Sequence, residues 1–507
     1  MKKFKTSVFI VMIGTLLSKV LGLIREILLA QKYGTGYISD SFILSLNIPT
    51  VIISAVATAV LTNYIPLFSK AEKESEEKAA KFNGNLIVIF FVVSTILIIL
   101  FMLFTKPIVK IFAAGFDDEG LKYLIDISRI TIFCMYFIIM AHILKGYLEY
   151  KGKFIGTALY GVCMNVGMIL GIILSSTEKY QILGLGVLLG YILGFIVLFI
   201  LARKNKFTAK LNLNIKDDYL KQLVVLTIPI LLNDVVWQIN GVVDKSISST
   251  LGAGYISAIN YSHYIVNIVI SVFATSVVTV FFPNVIKTFN EKGISAVKEK
   301  TNAILKIIIF VSIPCTLLIS VYAEPIIRLL FFRGAFDQES LNITSVAVSI
   351  YAFAIVFESI KTILFKVFYA LQDTKSPTRS AIIAISLNII LSLILVKPFG
   401  YRGIIIGTLI SSFVSAFLLI RRFNIKYEKL IDKKLWMNIL KILSAGVIMF
   451  AIMLVVNQFT SSIFVVNVLV SEIIRAIIGG IAGGLTYLLL LFVMRFDFKL
   501  HIERGNP

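Results

Sequence analysis

An all-α polytopic membrane protein is the fold class predicted by three features of this 507-residue chain. It is 58% apolar, it is only 15% charged, and apolar runs of about 20 residues recur along its whole length. The mean hydropathy is +0.93, whereas soluble domains carry about 25% charged residues. No polar stretch is long enough to fold as a soluble catalytic domain, so the useful unit of description is the membrane span.

The apolar runs divide into fourteen candidate helices: 6–31, 38–68, 83–105, 121–148, 154–175, 182–202, 219–248, 253–287, 303–322, 340–371, 377–396, 401–420, 437–456 and 473–494. The first follows Lys2, Lys3 and Lys5 as a signal peptide would, yet it runs on through Lys19 and Arg25 without a small-residue cleavage site. It is expected to be retained as a span. Pro49 in the second helix removes a backbone donor and favours a bend there. Cys134, Cys163 and Cys315 are far apart and lack metal-ligand spacing, so they are expected to be small core residues.

The net charge of +21 follows the loops alternately. Roughly 32 Lys and Arg fall in connections on the side of the N-terminus and roughly 9 on the other, which predicts cytoplasmic N- and C-termini. The basic stretches 203–221, 287–306 and 421–441 then face the cytoplasm, where anionic headgroups attract them. They require no nucleic acid.

An internal repeat organises the chain. Gly34-Thr-Gly-Tyr-Ile-Ser39 returns as Gly252-Ala-Gly-Tyr-Ile-Ser257. Further matches follow in order: Ala57-Thr58 with Ala274-Thr275, Pro66 with Pro283, Phe116-Asp117 with Phe336-Asp337, Tyr147 with Tyr369, Lys153 with Lys375, and Asn165 with Asn388. The chain reads as two six-helix lobes, 1–216 and 217–424, with helices 13 and 14 and a cytoplasmic tail in 425–507. Because six is even, the lobes are expected to form a parallel pseudo-twofold repeat, a recurrent transporter plan.

Ionisable groups at membrane depth are costly and usually face protein or a watery cavity. Here they gather in a few helices. Helix 1 carries Ser18, Lys19, Arg25 and Glu26, and helix 2 carries Asp40 and Asn47. Helix 7 carries Pro229, Asn233, Asp234, Asn240, Asp244 and Lys245. Helix 8 has Asn260, His263 and Asn267, and helix 10 has Glu358, Lys361 and Lys366. A shared polar cavity is expected. Glu358 and Lys361, three residues apart, can pair on one helix face, and Lys366 can snorkel. His142 and His263 are expected to be hydrogen-bonded packing residues. No Walker A, HExxH or G-x-S-x-G pattern is present, which argues against an enzyme and against ATP-driven pumping by this chain alone.

Several stretches resemble the MurJ (MviN) lipid II flippases of the multidrug/oligosaccharidyl-lipid/polysaccharide exporter superfamily. They are Ser18-Lys-Val-Leu-Gly-Leu-Ile-Arg-Glu26, Val243-Asp-Lys245, Arg333-Gly-Ala-Phe336 and Phe368-Tyr-Ala-Leu-Gln-Asp-Thr-Lys-Ser-Pro377. The resemblance implies a transporter of the bacterial cytoplasmic membrane that moves an undecaprenyl-pyrophosphate-linked peptidoglycan precursor, lipid II, from the inner to the outer leaflet by alternating access. Its partners would be lipid II, membrane lipids and cell-wall synthesis proteins. The substrate-binding residues expected on this basis are Ser18, Lys19, Arg25, Glu26, Asp40, Lys361 and Lys366. The chain departs from the family in charge: Lys19 stands where an arginine is common, and two further family arginines align with Ile53 and Tyr264. The resemblance also implies a sodium ion held by Asp244, Asn388, Ser392 and Thr408, although Ser392 replaces a carboxylate that would strengthen such a site. The alternatives are a flippase for another lipid-linked saccharide, a cation-coupled drug exporter and a membrane-embedded glycosyltransferase or polymerase, the last of which would need a sizeable outer loop with paired acids where the outer loops here are short. An excess of carboxylates over lysines in the cavity would favour the exporter, and helices 1 and 10 do not have it.

Overall fold

A computed structural model describes residues 2–214, 216–461 and 468–497. Every regular element among the described residues is helical. The first half contains α1 (Lys2–Tyr33), α2 (Tyr37–Glu74), α3 (Glu76–Leu103), α4 (Thr105–Phe112), α5 (Asp118–Thr131), α6 (Cys134–Tyr150), α7 (Ile155–Leu174), α8 (Gln181–Lys204) and α9 (Asp218–Ser249). The second half contains α10 (Tyr255–Ile270), a π-helical turn at Ser271–Thr275, and α11 (Ser276–Val321), which is broken at Gly293. It continues with α12 (Ala323–Phe331), α13 (Gln338–Tyr351), α14 (Ala354–Ala370), α15 (Lys375–Phe399), α16 (Tyr401–Lys426), α17 (Lys433–Ser461) and α18 (Val468–Val493).

Among the described residues, nine helices are long and apolar enough to cross a membrane by themselves, and three more spans arise if each bent pair counts once. Those pairs are the two segments of α2, bent by 53° just beyond Pro49, the pair α5 and α6, bent by 43°, and the pair α13 and α14, bent by 46°. α1 and α9 are each 32 residues long. These long units follow the expected spans in order. The short helices α4 and α12 were not expected as separate elements. Both are amphipathic single pieces that lie between spans, too short to register against long apolar runs.

Local chemistry explains where the helices begin. Asp117 accepts a bond from the Gly120 N–H at 2.8 Å, and Asp337 accepts from the Ser340 N–H at 2.8 Å. Asp217 caps α9 through the Leu220 N–H, and Ser75 caps α3 through the Lys78 N–H. Each such cap contributes about 1 kcal/mol.

Packing divides the chain into two compact units, one of residues 1–257 with Arg333–Phe336 and one of residues 258–332 with 337–507. α9 opens the second sequence copy but packs on α2, so the packing boundary falls near Ser257 rather than at 217. In the first unit α1 lies on α7, α7 on α8, and α6 on both α2 and α8. Glycines set the α7–α8 contact: a Cβ at Gly167 would come within 2.3 Å of Gly190 Cα, and one at Gly171 within 2.6 Å of Gly186 Cα. Arg333–Phe336 belongs here because the Ala335 N–H donates to Gln31 O at the end of α1 (2.8 Å), and Gly334 (φ +62°) leaves no room for a side chain beside that carbonyl.

The second unit repeats this internal order, with α15 on α16 and α14 on α16. α17 and α18, which lie outside the repeat, pack on each other and on α11, and the Tyr487 hydroxyl donates to Phe310 O at 2.9 Å. The core here includes Phe368, Phe423, Met449, Met453 and Tyr487. Cys134 is buried and all three cysteines are free thiols.

Candidate functional site

The polar residues of α1 meet α7. The Asn165 amide donates to Gly161 O (2.9 Å), to Ser18 O (3.1 Å) and to Ser18 Oγ (3.4 Å). Its own oxygen accepts a bond from Arg25 Nη1 at 3.3 Å. The other arm of the guanidinium pairs with Glu26, whose carboxylate is 1% exposed. Gly161 permits this approach, since a Cβ there would sit 2.5 Å from Ser18 Oγ. Ser18, Arg25 and Glu26 are thus brought together as expected, and Lys19 is part-buried on the same helix. Asn165 is the member that sequence reasoning used only as a repeat marker. Its pairing with Asn388 was the available signal, because a duplicated amide at membrane depth needs partners.

This group can hold an anion. A guanidinium clamped by one carboxylate and one amide keeps its orientation, and its planar fork suits a phosphate or carboxylate. Glu26 offsets part of the charge and limits the cost of burying it.

Asp40 plays a different part. Both its oxygens are occupied by backbone donors at the start of α10, Gly254 N–H and Ser257 N–H, each at 2.7 Å. It is fully buried. Its carboxylate therefore caps a helix and compensates that helix's positive end, a use that sequence alone did not separate from substrate binding.

In the second unit Glu358 accepts from Lys361 Nζ (2.5 Å) and from Ser412 Oγ on α16 (2.6 Å). Lys366 Nζ lies 5.6 Å from the Phe282 ring centre and 5.9 Å from that of Tyr369. His263 bonds Asn267 and stacks edge-on with Tyr351, and in the first unit His142 bonds Ile138 O. Of the residues expected to hold sodium, Asn388 donates to Thr408 Oγ1 at 3.0 Å, and Ser392 is buried beside Gly407. Asp244, in the first unit, accepts from Asn240 at 3.4 Å. No cluster of three or more His, Cys, Asp or Glu side chains that could hold a metal occurs among the described residues. The side chains of Pro229, Asn233, Asp234, Thr275 and Pro283 lie outside the described residues. Ile53, at one of the positions where a family arginine is missing, is fully buried.

A many-span helical bundle, with an arginine clamped between α1 and α7, defines a polytopic membrane protein. The solved structure of the lipid II flippase MurJ in an inward closed conformation superposes with a TM-score of 0.83 at 26% identity, covering 96% of this chain and 99% of that one. An inward-facing multidrug resistance MATE transporter shares the fold at a TM-score of 0.70 and 15% identity, over 84% of this chain and 98% of its own. The chain belongs to the family described as Lipid II flippase MurJ, whose profile matches residues 29–479. Among curated relatives, the "Probable lipid II flippase MurJ" of Vibrio cholerae is 26% identical over 99% of both chains, and that of Rickettsia prowazekii is 25% identical over 80% of this chain and 81% of its own.

Proposed function

We infer that this protein flips lipid II, an undecaprenyl-pyrophosphate-linked peptidoglycan precursor, from the cytoplasmic to the outer leaflet by alternating access. The observation that carries this reading is the Arg25 guanidinium held at membrane depth by Glu26 and Asn165 in a chain of this family. An anionic head that crosses inside protein avoids an unpaired charge in hydrocarbon. The tail stays apolar throughout. A cavity of about 600 Å³ bounded by α11, α14, α16 and α17, and lined by Ile309, Phe357, Phe413, Trp436 and Leu443 among others, has the character to take part of a polyprenyl chain. An inside-negative potential favours outward movement of the anion by about 2.3 kcal/mol per charge per 100 mV.

Depletion of the protein in cells is expected to make lipid II accumulate in the inner leaflet. Complementation by Arg25→Ala is expected to fail at normal membrane levels, and Arg25→Lys to restore only part of the activity because a bidentate fork is lost. Accumulation of a different lipid-linked saccharide would reassign the substrate. Full activity of Arg25→Ala would remove the anion-binding role.

Orientation follows from the basic loops. Cysteines placed at the exposed positions Lys204 and Lys429 should be labelled only from the cytoplasm, and those at Thr177 and Lys397 only from outside. Labelling of Lys204 and Thr177 from the same side would overturn it.

A further inference from the structure

We propose that Lys145, on α6, is an entry-side contact for the pyrophosphate of the transported lipid, upstream of Arg25 along α7. This inference rests on the pyrophosphate reading above.

Lys145 is half-buried within the first unit. Its Nζ stands 3.6 Å above the centre of the Tyr160 ring, on α7. The ring satisfies one side of the ammonium only, since a π face attracts a cation but takes none of its hydrogen bonds in the usual sense. Among the described residues, no carboxylate or carbonyl accepts a bond from it. The nearest acid along the helix, Glu149, attracts it without a direct bond and accepts from Thr157 Oγ1 at 3.3 Å. Half-buried, it keeps its remaining donors for water or for an arriving anionic acceptor.

The ring itself is fixed. Tyr160 is buried and leans on α8 where Gly194 leaves space, since a Cβ there would lie 2.7 Å from the ring, and Tyr191 meets it edge-on at 6.4 Å between centres. His142, one turn before Lys145, is turned so that Nδ1 lies 2.7 Å from the Ile138 carbonyl, which makes Nδ1 the donor and leaves Nε2 over.

Three cations meet α7 in sequence. Lys145 meets it at Tyr160, Arg25 at Asn165 and Met168, and Lys32 at the Ile172 and Ile173 carbonyls (2.8 Å each). At 1.5 Å per residue the first two lie about 7.5 Å apart along the helix and the second and third about 10 Å. Lys145 is five residues from the end of α6, at the opposite end of α7 from Lys32. Under the orientation given above, that is the cytoplasmic end, where the head enters. Arg25 is braced by Glu26 and Asn165 and Lys32 by helix-end carbonyls, whereas Lys145 makes no hydrogen bond or ion pair among the described residues and is held by the Tyr160 ring.

The test uses the full chain in nanodiscs and undecaprenyl pyrophosphate as probe. Lys145→Met should weaken binding about tenfold, and Lys145→Arg should restore it, because a charge rather than a shape is required. Undecaprenol, which lacks the phosphates, should bind both variants like the wild type. Lys145→Gln gives the same reading if the methionine variant melts early. Wild-type affinity in Lys145→Met and Lys145→Gln would overturn the proposal. An equal loss of phosphatidylglycerol binding would also overturn it, by assigning the lysine to ordinary lipid contacts. Failure of the wild-type chain to bind the pyrophosphate would overturn the flippase reading instead.

Discussion

Asn165 and Asn388 occupy matching places in the two sequence copies, yet they face different neighbours. Asn165 turns from α7 toward α1, where it binds Ser18 and steadies Arg25. Asn388 turns from α15 toward α16 and binds Thr408. The helix pairs behind them also differ: α7 and α8 touch through glycines on both helices, Gly167 and Gly171 against Gly186 and Gly190, while in the second copy the glycines are on α16 alone, Gly403 against the Leu395 carbonyl and Gly407 against Ser392. The two copies share one scaffold, and the helix that each amide meets, α1 or α16, decides which copy steadies the guanidinium.

The largest effect that would break this comparison concerns Asp40, whose counterpart in the second copy is Ala258. Asp40→Ala strips two short bonds from the start of α10 and is expected to cost about 3 kcal/mol, read as a lower melting temperature of the purified protein. Unchanged melting would mean that the cap contributes nothing to holding α10.

Next in size is the asparagine pair. Asn165→Ala should cut complementation strongly, because Arg25 loses a support and the Ser18 carbonyl a donor, at a cost of about 2 kcal/mol. Asn388→Ala should cost about 1 kcal/mol and leave Arg25 untouched. Equal effects on transport would erase the distinction between the two copies. A sodium ion held by Asn388, Ser392 and Thr408 within the second unit would add a further difference: replacement of sodium by potassium at fixed pH and potential should slow flipping about twofold in the wild type and not at all in Asn388→Ala. Flipping that is indifferent to the exchange in the wild type would remove the ion from the cycle.

The smallest effects lie at the turns after α6 and α14. Gly152 takes the left-handed conformation in the first copy (φ +71°), and Gln372 is forced into it in the second (φ +58°). Gln372→Gly should therefore stabilise by about 0.5–1 kcal/mol. Beside it, burial pushes the Asp373 carboxyl up, but bonds from Lys426 and Ser376 outweigh this and hold it below the usual range. Its stabilising contribution is thus complete above the ordinary aspartate value of about 3.9 and fades only as the pH falls below it. Asp373→Asn should flatten acid destabilisation in that window, measured by melting between about pH 5 and pH 2.

The matching turns also correct the register of the repeat. The Lys153 N–H bonds Leu148 O, and the Asp373 N–H bonds Phe368 O, so Lys153 corresponds to Asp373 rather than to Lys375. Sequence identity at Lys153 and Lys375 misled here because one basic residue near a helix start resembles another, whereas a left-handed turn marks a single position.

The sequence by itself determined the all-helical spans, their order, the internal repeat and the gathering of polar residues in helices 1, 2, 7, 8 and 10. Length, apolar content and recurrence are properties of single segments, and the bilayer acts on each segment separately. It also brought Ser18, Arg25 and Glu26 together, since they lie on one helix. Only the tertiary structure decided that Asp40 caps α10, that Asn165 carries Arg25, that α9 packs with the first unit, and that Lys145 rests on Tyr160. Those outcomes depend on which faces meet across more than a hundred residues, and the meeting is set by glycine-sized gaps and by the need of each buried polar group for a partner.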